Sequence, residues 1–415
     1  MKVLIISKLD IQGGAFIAAY RVHNALCKNG VDSFMWVDKK MSNDWTVKGP
    51  PSKISKLSAD LHLRPRLIIH SLVKLLKTNK KVIHSPSVLP SSWVKRINES
   101  DADIVNLHWI QNEMLSIKDI SKIKKPIVWT LHDMWVFCGT EHYSNDNRWR
   151  EGYNTDNRPS YESGFDLNKW TWKRKQKHWK NLIQIITPSL WLAKCVNESK
   201  LMSHWPVSVV GNPICTESFK PIDKKIARKK LNLPNNVPLI LFGALGGQKD
   251  PRKGFDLLVG SLKYLKDDLK AKRVELVIFG QNKPKSPPNL GFPIHYLGHL
   301  SNDVSLQLAY NAADVMVVPS IQEAFGQTAS EPMACGTPVV AFGATGLLDI
   351  VDHQINGYLA KPFDSNDLAQ GINWVLNNEN YSELCKNARD KVLKEFDGKV
   401  VAKKYIALYE KILKN

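Results

Sequence analysis

Apolar and polar positions alternate along this chain so as to mark short buried strands separated by amphipathic helical stretches. Residues 3–7 form an apolar run, residues 16–27 repeat apolar positions at helical spacing, and residues 33–37 read as a second strand. Gly13 and Gly14 sit in the turn between the first strand and its helix, and Gly30 ends the helix. This is a βαβ unit. Further strands are expected over 103–108, 126–131, 182–187 and 207–210, with Ser189 capping a helix that runs to Glu198. After Gly211-Asn212-Pro213-Ile214 the chain turns Lys-rich through 224–234, and a second series begins. Its strands are expected over 238–244, 274–280, 295–300, 315–318, 339–342 and 358–360. Helices are expected over 255–265, from a Ser301 cap to Asn311, from Gly346 onward, and twice at the end of the chain. Strands joined by helical crossovers pair in parallel, so the fold class is α/β. The length of 415 residues exceeds what one core supports. Two Rossmann-like domains follow, over 1–210 and 211–395, with 396–415 as a closing helix.

The stretch 315–343 concentrates the candidate chemistry. Pro319 stops a strand, Glu323 lies in the loop after it, and Glu331 lies about one turn into the next helix. The amides of Phe325, Gly326 and Gln327 then head that helix, where free N–H groups and the dipole receive phosphate. A carboxylate on either side of a phosphate site suits a sugar nucleotide; two glutamates on a solvated helix face is the plainer alternative. Residues 245–254 place glycines beside Lys249, Arg252 and Lys253, which suits a diphosphate or else a solvated basic loop. His132 ends the strand 126–131, where an imidazole can bond a sugar hydroxyl or simply the backbone. The turn at Gly13-Gly14 lacks the G-x-G-x-x-G spacing of a dinucleotide site.

E-A-F-G-Q-T-A-S-E over 323–331, followed by G-T-P-V-V-A, resembles the E-x7-E signature of the GT4 family of retaining glycosyltransferases, which have the GT-B fold. T-L-H-D-M-W with F-C-G-T-E-H-Y after it is similar to GT4 polysaccharide-assembly transferases of the colanic-acid type. The resemblance implies two parallel sheets facing a central cleft, and a C-terminal helix crossing back to the N-terminal domain. It implies an acceptor-binding first domain, a donor-binding second domain, and transfer of a sugar from a UDP- or GDP-sugar to a hydroxyl of a lipid-linked glycan. His132, Arg252, Lys253 and Glu323 are then the expected catalytic residues. Gly14, Phe325, Gly326, Gln327 and Glu331 are the expected donor-binding residues, with Glu323 on the donor sugar and Glu331 on the ribose. Residues 295–300 are where such proteins hold the base. The family more often has Gly-Arg-Leu after the first strand of this domain; here Ala244 stands there, and Arg252 is the candidate replacement. Such relatives often carry further cysteines downstream of the His132 motif; 144–165 has none, and no D-x-D pattern is placed to hold a metal, so no metal or cofactor is expected.

Charge widens the picture. Lys and Arg number 58 against 39 Asp and Glu, a formal net charge of +19, which fits nucleic acid, an anionic membrane or an anionic substrate. Residues 67–76 are apolar and amphipathic, flanked by Arg64, Arg66, Lys74, Lys77, Lys80 and Lys81, and read as a membrane-surface helix or a core helix with a basic face. Residues 169–180 interleave basic side chains with Trp170, Trp172 and Trp179, to stack bases, to seat a lipid interface, or to bury the indoles. Residues 145–166 read as a long polar loop. The six cysteines are scattered without a C-x-x-C pair, which favours a reducing cytoplasm over disulfides or zinc. No apolar run reaches the ~20 residues of a membrane span, and the N-terminus reads as a strand rather than a signal peptide. The expected place is the cytoplasm, peripheral on the inner membrane face. Two other readings stand beside this one: a basic nucleic-acid-binding protein, which leaves Glu323 and Glu331 idle, and a sugar-nucleotide epimerase on the same fold.

Overall fold

The computed structural model describes residues 1–50, 65, 68–69, 71–73, 75–76, 82–243, 250–268 and 273–414. They form two compact units, Met1–Val210 with Ala402–Asn415, and Gly211–Val401. Among the described residues the first unit holds seven parallel strands: β1 (Lys2–Leu9), β2 (Asp32–Lys39), β3 (Val47–Lys48), β4 (Ile104–Leu107), β5 (Ile127–Thr130), β6 (Gln184–Thr187) and β7 (Val207–Val209). Their order is β3-β2-β1-β4-β5-β6-β7. The second unit holds six: β8 (Leu239–Gly243), β9 (Glu275–Phe279), β10 (Ile294–Gly298), β11 (Val315–Val318), β12 (Val339–Phe342) and β13 (Gly357–Ala360), ordered β10-β9-β8-β11-β12-β13.

Continuous apolar strands mean that both faces are covered. In the second sheet, Leu241, Val277, Met316, Val339 and Ala341 pack into one core, while Ile240, Leu276, Val315, Val317 and Val340 pack into another on the opposite face. In the first, Val3, Leu4, Ile5 and Ile6 are all fully buried. In each sheet the strand order reverses beside the first strand, between β1 and β4 and between β8 and β11. Such switch points leave room for ligands at the carboxyl ends of the strands.

The last helix, Gly398–Lys414, docks on the first sheet from residue 402 onward. The Asn106 side-chain amide donates to the Tyr409 hydroxyl at 2.7 Å, and the Thr130 hydroxyl lies 3.3 Å from that of Tyr405. Both tyrosines are buried, and a buried polar group without a partner is costly, so these bonds fix the seat of the helix.

Several elements depart from expectation. Asn302, not Ser301, caps the helix Asp303–Ala312, its side chain accepting from Ser305 N at 2.8 Å. Residues 345–349 form only a 3-10 turn. There Gly346 N donates to Glu323 O at 3.0 Å, and a Cβ on Gly346 would lie 2.7 Å from Ala324 O, so this backbone is held against the preceding loop instead of winding into an α-helix. Three helices, not two, close the chain: Ser365–Leu376, Tyr381–Glu395 and Gly398–Lys414. The last break falls where Ile214 pairs with Asp397. The basic Trp-rich helix, Leu167–His178, faces inward. Trp172 and Trp179 are buried, and the Trp179 indole donates to Ile117 O at 2.9 Å, so neither ring is available to bases or lipid; Trp170 is exposed. Residues 145–166 are a largely exposed loop, as its polar composition implies, but it contains the short helix Arg148–Glu151 and is anchored at one buried point. Arg148 is buried at its centre, paired with Asp166 and, at 3.6 Å, with Glu162, while Trp149 and Tyr153 are buried beside it.

Among the described residues no helix is long and apolar enough to cross a membrane. Of the basic amphipathic segment, Arg64, Arg66, Leu67, Lys74, Lys77, Lys80 and Lys81 lie outside the described residues, as do Ala244 and Lys249 of the glycine-rich loop.

Candidate active site

Two groups of side chains gather, one at each switch point. In the second unit, a 3-10 turn over Pro251–Lys253 follows β8, and Asp250 caps it. Gly254 ends it at φ 65°, and a Cβ there would lie 1.8 Å from the Pro319 carbonyl oxygen. Only glycine lets the turn sit that close to the end of β11. The approach brings Lys253 Nζ to 2.5 Å from Glu323 Oε1. The Ser320 hydroxyl donates to the same oxygen at 2.9 Å, and Glu323 N donates to the Thr345 hydroxyl at 3.1 Å. Arg252 is engaged differently: its Nε and Nη2 fork onto the two oxygens of Asp250, at 3.1 and 2.7 Å.

Gly326 opens the helix Gln327–Ala334 at φ 119°, with Leu347 where a Cβ would go. Phe325 is buried, its ring edge-on to Phe396 at 5.1 Å, so it offers a ligand backbone only. Glu331 is the fifth residue of the helix and is 5% exposed. Its Oε2 accepts from the Tyr310 hydroxyl at 2.7 Å, which aims the carboxylate instead of leaving it to solvent. The structure thus joins Lys253 to Glu323 at the carboxyl ends of β8 and β11, and Gly326, Gln327 and Glu331 follow on the helix that leaves this loop.

Gly14 and His132 belong to the other group, at the carboxyl ends of β1, β4 and β5. A side chain at Gly14 would meet no atom within 4 Å. Phe16, two residues on, packs edge-on to Trp109 at 5.3 Å. Trp109 and His108 follow β4; His132 and Asp133 follow β5. These adjacent parallel strands are joined beyond their last backbone pairs by two side-chain rungs. His108 Nδ1 lies 2.9 Å from His132 Nε2, and the Trp109 indole donates to Asp133 Oδ2 at 2.9 Å. Both rungs span 24 residues.

Asp133 is the hub of this group. Besides Trp109, it accepts from Trp135 N at 3.0 Å, and its Oδ2 lies 2.5 Å from His142 Nδ1. Burial pushes its carboxyl up, but His142 and these donors outweigh burial and hold it below the usual carboxylate range. Ser85 Oγ lies 2.8 Å from His142 Nε2. The atom order matches a nucleophilic triad, but Ser85 is 1% exposed, so the three residues serve as a buried brace. Lys175, which the sequence places on a basic face, is fully buried and donates to the carbonyls of Trp135, Cys138 (2.9 Å) and Gly139 (2.7 Å). Burial pulls its pKa down to about 7. It closes the turn that follows His132 and Asp133.

His108, Trp109, Asp133, His142 and Lys175 were not singled out from sequence. The available signal was a repeated Leu-His ending, at 107–108 and 131–132, on two strands that pair in parallel. Burial lowers the pKa of His132 to about 4, against a smaller raising effect of Asp133, and lowers that of His108 well below its ordinary value. Both rings are neutral at physiological pH.

Residues 223–392 match a family described as glycosyl transferases group 1, so the second unit carries a domain of that family. The lipopolysaccharide 1,2-N-acetylglucosaminetransferase of Salmonella typhimurium is 28% identical over 239 residues, 54% of this chain and 61% of the relative. The N,N'-diacetylbacillosaminyl-diphospho-undecaprenol alpha-1,3-N-acetylgalactosaminyltransferase of Campylobacter jejuni is 31% identical over 208 residues, 49% of this chain and 51% of the relative. The chain spans about half the length of the curated relatives it matches. Among solved structures, Anabaena HepE in complex with UDP-glucose matches over 99% of this chain and 100% of its own, with a TM-score of 0.66 at 17% identity. That likeness shows the fold: two Rossmann-like units, the GT-B architecture, with the C-terminal helix returning to the first unit.

The electrostatics make one prediction here. An unfolded histidine takes up its proton near pH 6.5, whereas folded His132 resists until about 4. Stability from this source is therefore fully present above pH 6.5 and is lost as pH falls towards about 4. Across that window the thermal midpoint of His132→Phe should fall less than that of the wild type. Parallel curves would show that His132 is not held neutral by the fold.

Proposed function

We propose that this chain, whose second unit carries a glycosyl transferases group 1 domain, is a retaining glycosyltransferase of the GT4 type. It transfers a sugar from a UDP- or GDP-sugar to a hydroxyl of a lipid-linked glycan in bacterial surface polysaccharide assembly. The observation that carries this reading is the meeting of Lys253 and Glu323 at the β8/β11 switch point, with Glu331 buried on the helix that follows. The names of the Salmonella and Campylobacter relatives and the UDP-glucose bound by HepE support the donor and acceptor classes.

In the proposed reaction, the bond from the anomeric carbon to the diphosphate oxygen breaks. The acceptor oxygen bonds to the same face of that carbon, and the acceptor proton passes to the departing diphosphate. No carboxylate nucleophile is needed. The main barrier is charge growing on the diphosphate, and each preorganised donor aimed at it is worth ~3 kcal/mol. Lys253 and the amides near Gly326 supply such donors. Arg252 joins them by exchanging the Asp250 carboxylate for phosphate. Glu323 takes the donor-sugar hydroxyls, Glu331 the ribose, and Gly14 leaves room beside the phosphate or acceptor. His132 contacts a reacting sugar or acceptor oxygen. The cations are side chains, so no metal or other cofactor enters this scheme. The proposed location is the cytoplasm at the membrane surface, a reading supported by Ile68, Leu72, Leu75 and Leu76, which are exposed at helical spacing in a strongly basic stretch of sequence.

A thermal-shift panel of UDP-, GDP- and ADP-sugars tests the donor; a ligand at a hundred times its Kd adds about 2.7 kcal/mol. Glu331→Ala should weaken binding of the preferred nucleotide about 10- to 100-fold, through loss of charged hydrogen bonds to the ribose. Unchanged affinity would remove Glu331 from the site. Lys253→Met should lower turnover at saturating donor about 100-fold, and wild-type turnover would exclude it from leaving-group stabilisation. Binding to phosphatidylglycerol vesicles should be lost in a Leu72→Asp, Leu75→Asp double variant. If neutral phosphatidylcholine vesicles bind the wild type equally well, the electrostatic part of the membrane reading fails.

A further inference from the structure

We infer that His108 sets the tautomer of His132, and so makes His132 a hydrogen-bond donor through Nδ1–H to an uncharged or anionic oxygen of the ligand. The inference rests on the assignment of His132 to the reaction made above.

His108 Nδ1 and His132 Nε2 are 2.9 Å apart, so one of them must donate. Were His132 the donor, neutral His108 would carry its own proton on Nε2. That nitrogen is buried and has no partner among the described residues. A buried N–H without an acceptor is rarer than an acceptor left short of a donor. The favoured arrangement therefore has His108 donating from Nδ1, with a bare Nε2 behind it. His132 then accepts on Nε2 and, being neutral, holds its proton on Nδ1. His132 is half-buried, and His108 is its one side-chain hydrogen-bond partner among the described residues. Its Nδ1–H is thus left for a ligand oxygen at the carboxyl end of β5.

The scaffold holds this geometry independently of the two rings. The Trp109–Asp133 rung, one residue further along both strands, fixes the ends of β4 and β5 against each other. Asp133 is in turn pinned by His142 and Trp135 N, so the imidazoles cannot slide apart without breaking buried bonds to a carboxylate. His108 itself is 1% exposed and reaches no ligand. It is a positioning residue, and its effect is chemical: His132 polarises an oxygen or stabilises charge growing on it, and does not accept the acceptor's proton.

The test has two arms. Long-range 1H–15N correlation spectra of the full-length protein with 15N-labelled histidine report which nitrogen of His132 is protonated, the signals being assigned by their loss in His132→Asn. Protonation on Nδ1 is expected; an Nε2–H form would overturn the inference. This arm uses the wild-type chain, so it stands even if a His108 variant does not fold. In the second arm, His108→Phe keeps the ring volume but removes the donor. It should lower kcat about 3- to 10-fold, the worth of one neutral hydrogen bond, with KM for the nucleotide sugar unchanged. His108→Asn, which can still donate an amide N–H, should restore most of the rate. Wild-type kcat in His108→Phe, alongside loss of turnover in His132→Ala, would overturn the positioning role. Wild-type turnover in His132→Ala would instead fell the assignment of His132 to the reaction, and the spectra would still decide its tautomer.

Discussion

Parallel pairing of strands buried on both faces is the constraint from which the rest follows. Such strands cannot be joined by tight turns; each connection must cross over the sheet and return. Every loop that leaves a strand's carboxyl end therefore emerges along one edge, and in each unit the order reverses beside the first strand. Residues far apart in the chain are delivered to one place. Lys253 meets Glu323 across 70 residues in this way, and His108 meets His132 across 24.

Charges brought together and partly removed from water need compensation, and the two groups find it differently. Asp133 is buried but accepts from an indole, an imidazole and a backbone amide, so its charge is distributed over fixed donors. It can serve as a brace because nothing is left for it to bind. Glu323 instead shares one oxygen between the Lys253 ammonium and the Ser320 hydroxyl. Lys253 and Glu323 both keep some exposure, at 23% and 12% of their side chains, so a ligand can enter between charges that are already oriented. Preorganisation of this kind carries little reorganisation cost when charge develops.

The buried basic side chains show the same economy in a structural role. Lys175 and Arg148 look like surface residues in sequence, set among other basic or polar side chains. Lys175 replaces its hydration with carbonyls at the end of a turn, and Arg148 replaces its own with Asp166 and Glu162. Each fixes a loop whose composition gives no reason for order. Trp172 and Trp179 follow from that: once the helix Leu167–His178 turns Lys175 inward, the indole of Trp172 within it and that of Trp179 at its C-cap turn inward too.

Sequence alone determined what depends on local order. Runs of Val, Ile and Leu bounded by Gly and Pro located the strands, and a seven-residue gap put Glu323 in a loop and Glu331 one turn into a helix. Those features are set by backbone periodicity within a dozen residues. The 3-10 turn at Thr345–Asp349 and the third closing helix were missed because neighbouring backbone, not local propensity, decides them, whereas the Asn302 cap is a local bond to Ser305 N that competes with the adjacent Ser301. Only the tertiary structure could pair His108 with His132, gather donors on Asp133, or place Gly254 against Pro319. Register between strands and the desolvation of particular charges are properties of packing, which a local pattern such as the repeated Leu-His ending can hint at but cannot fix.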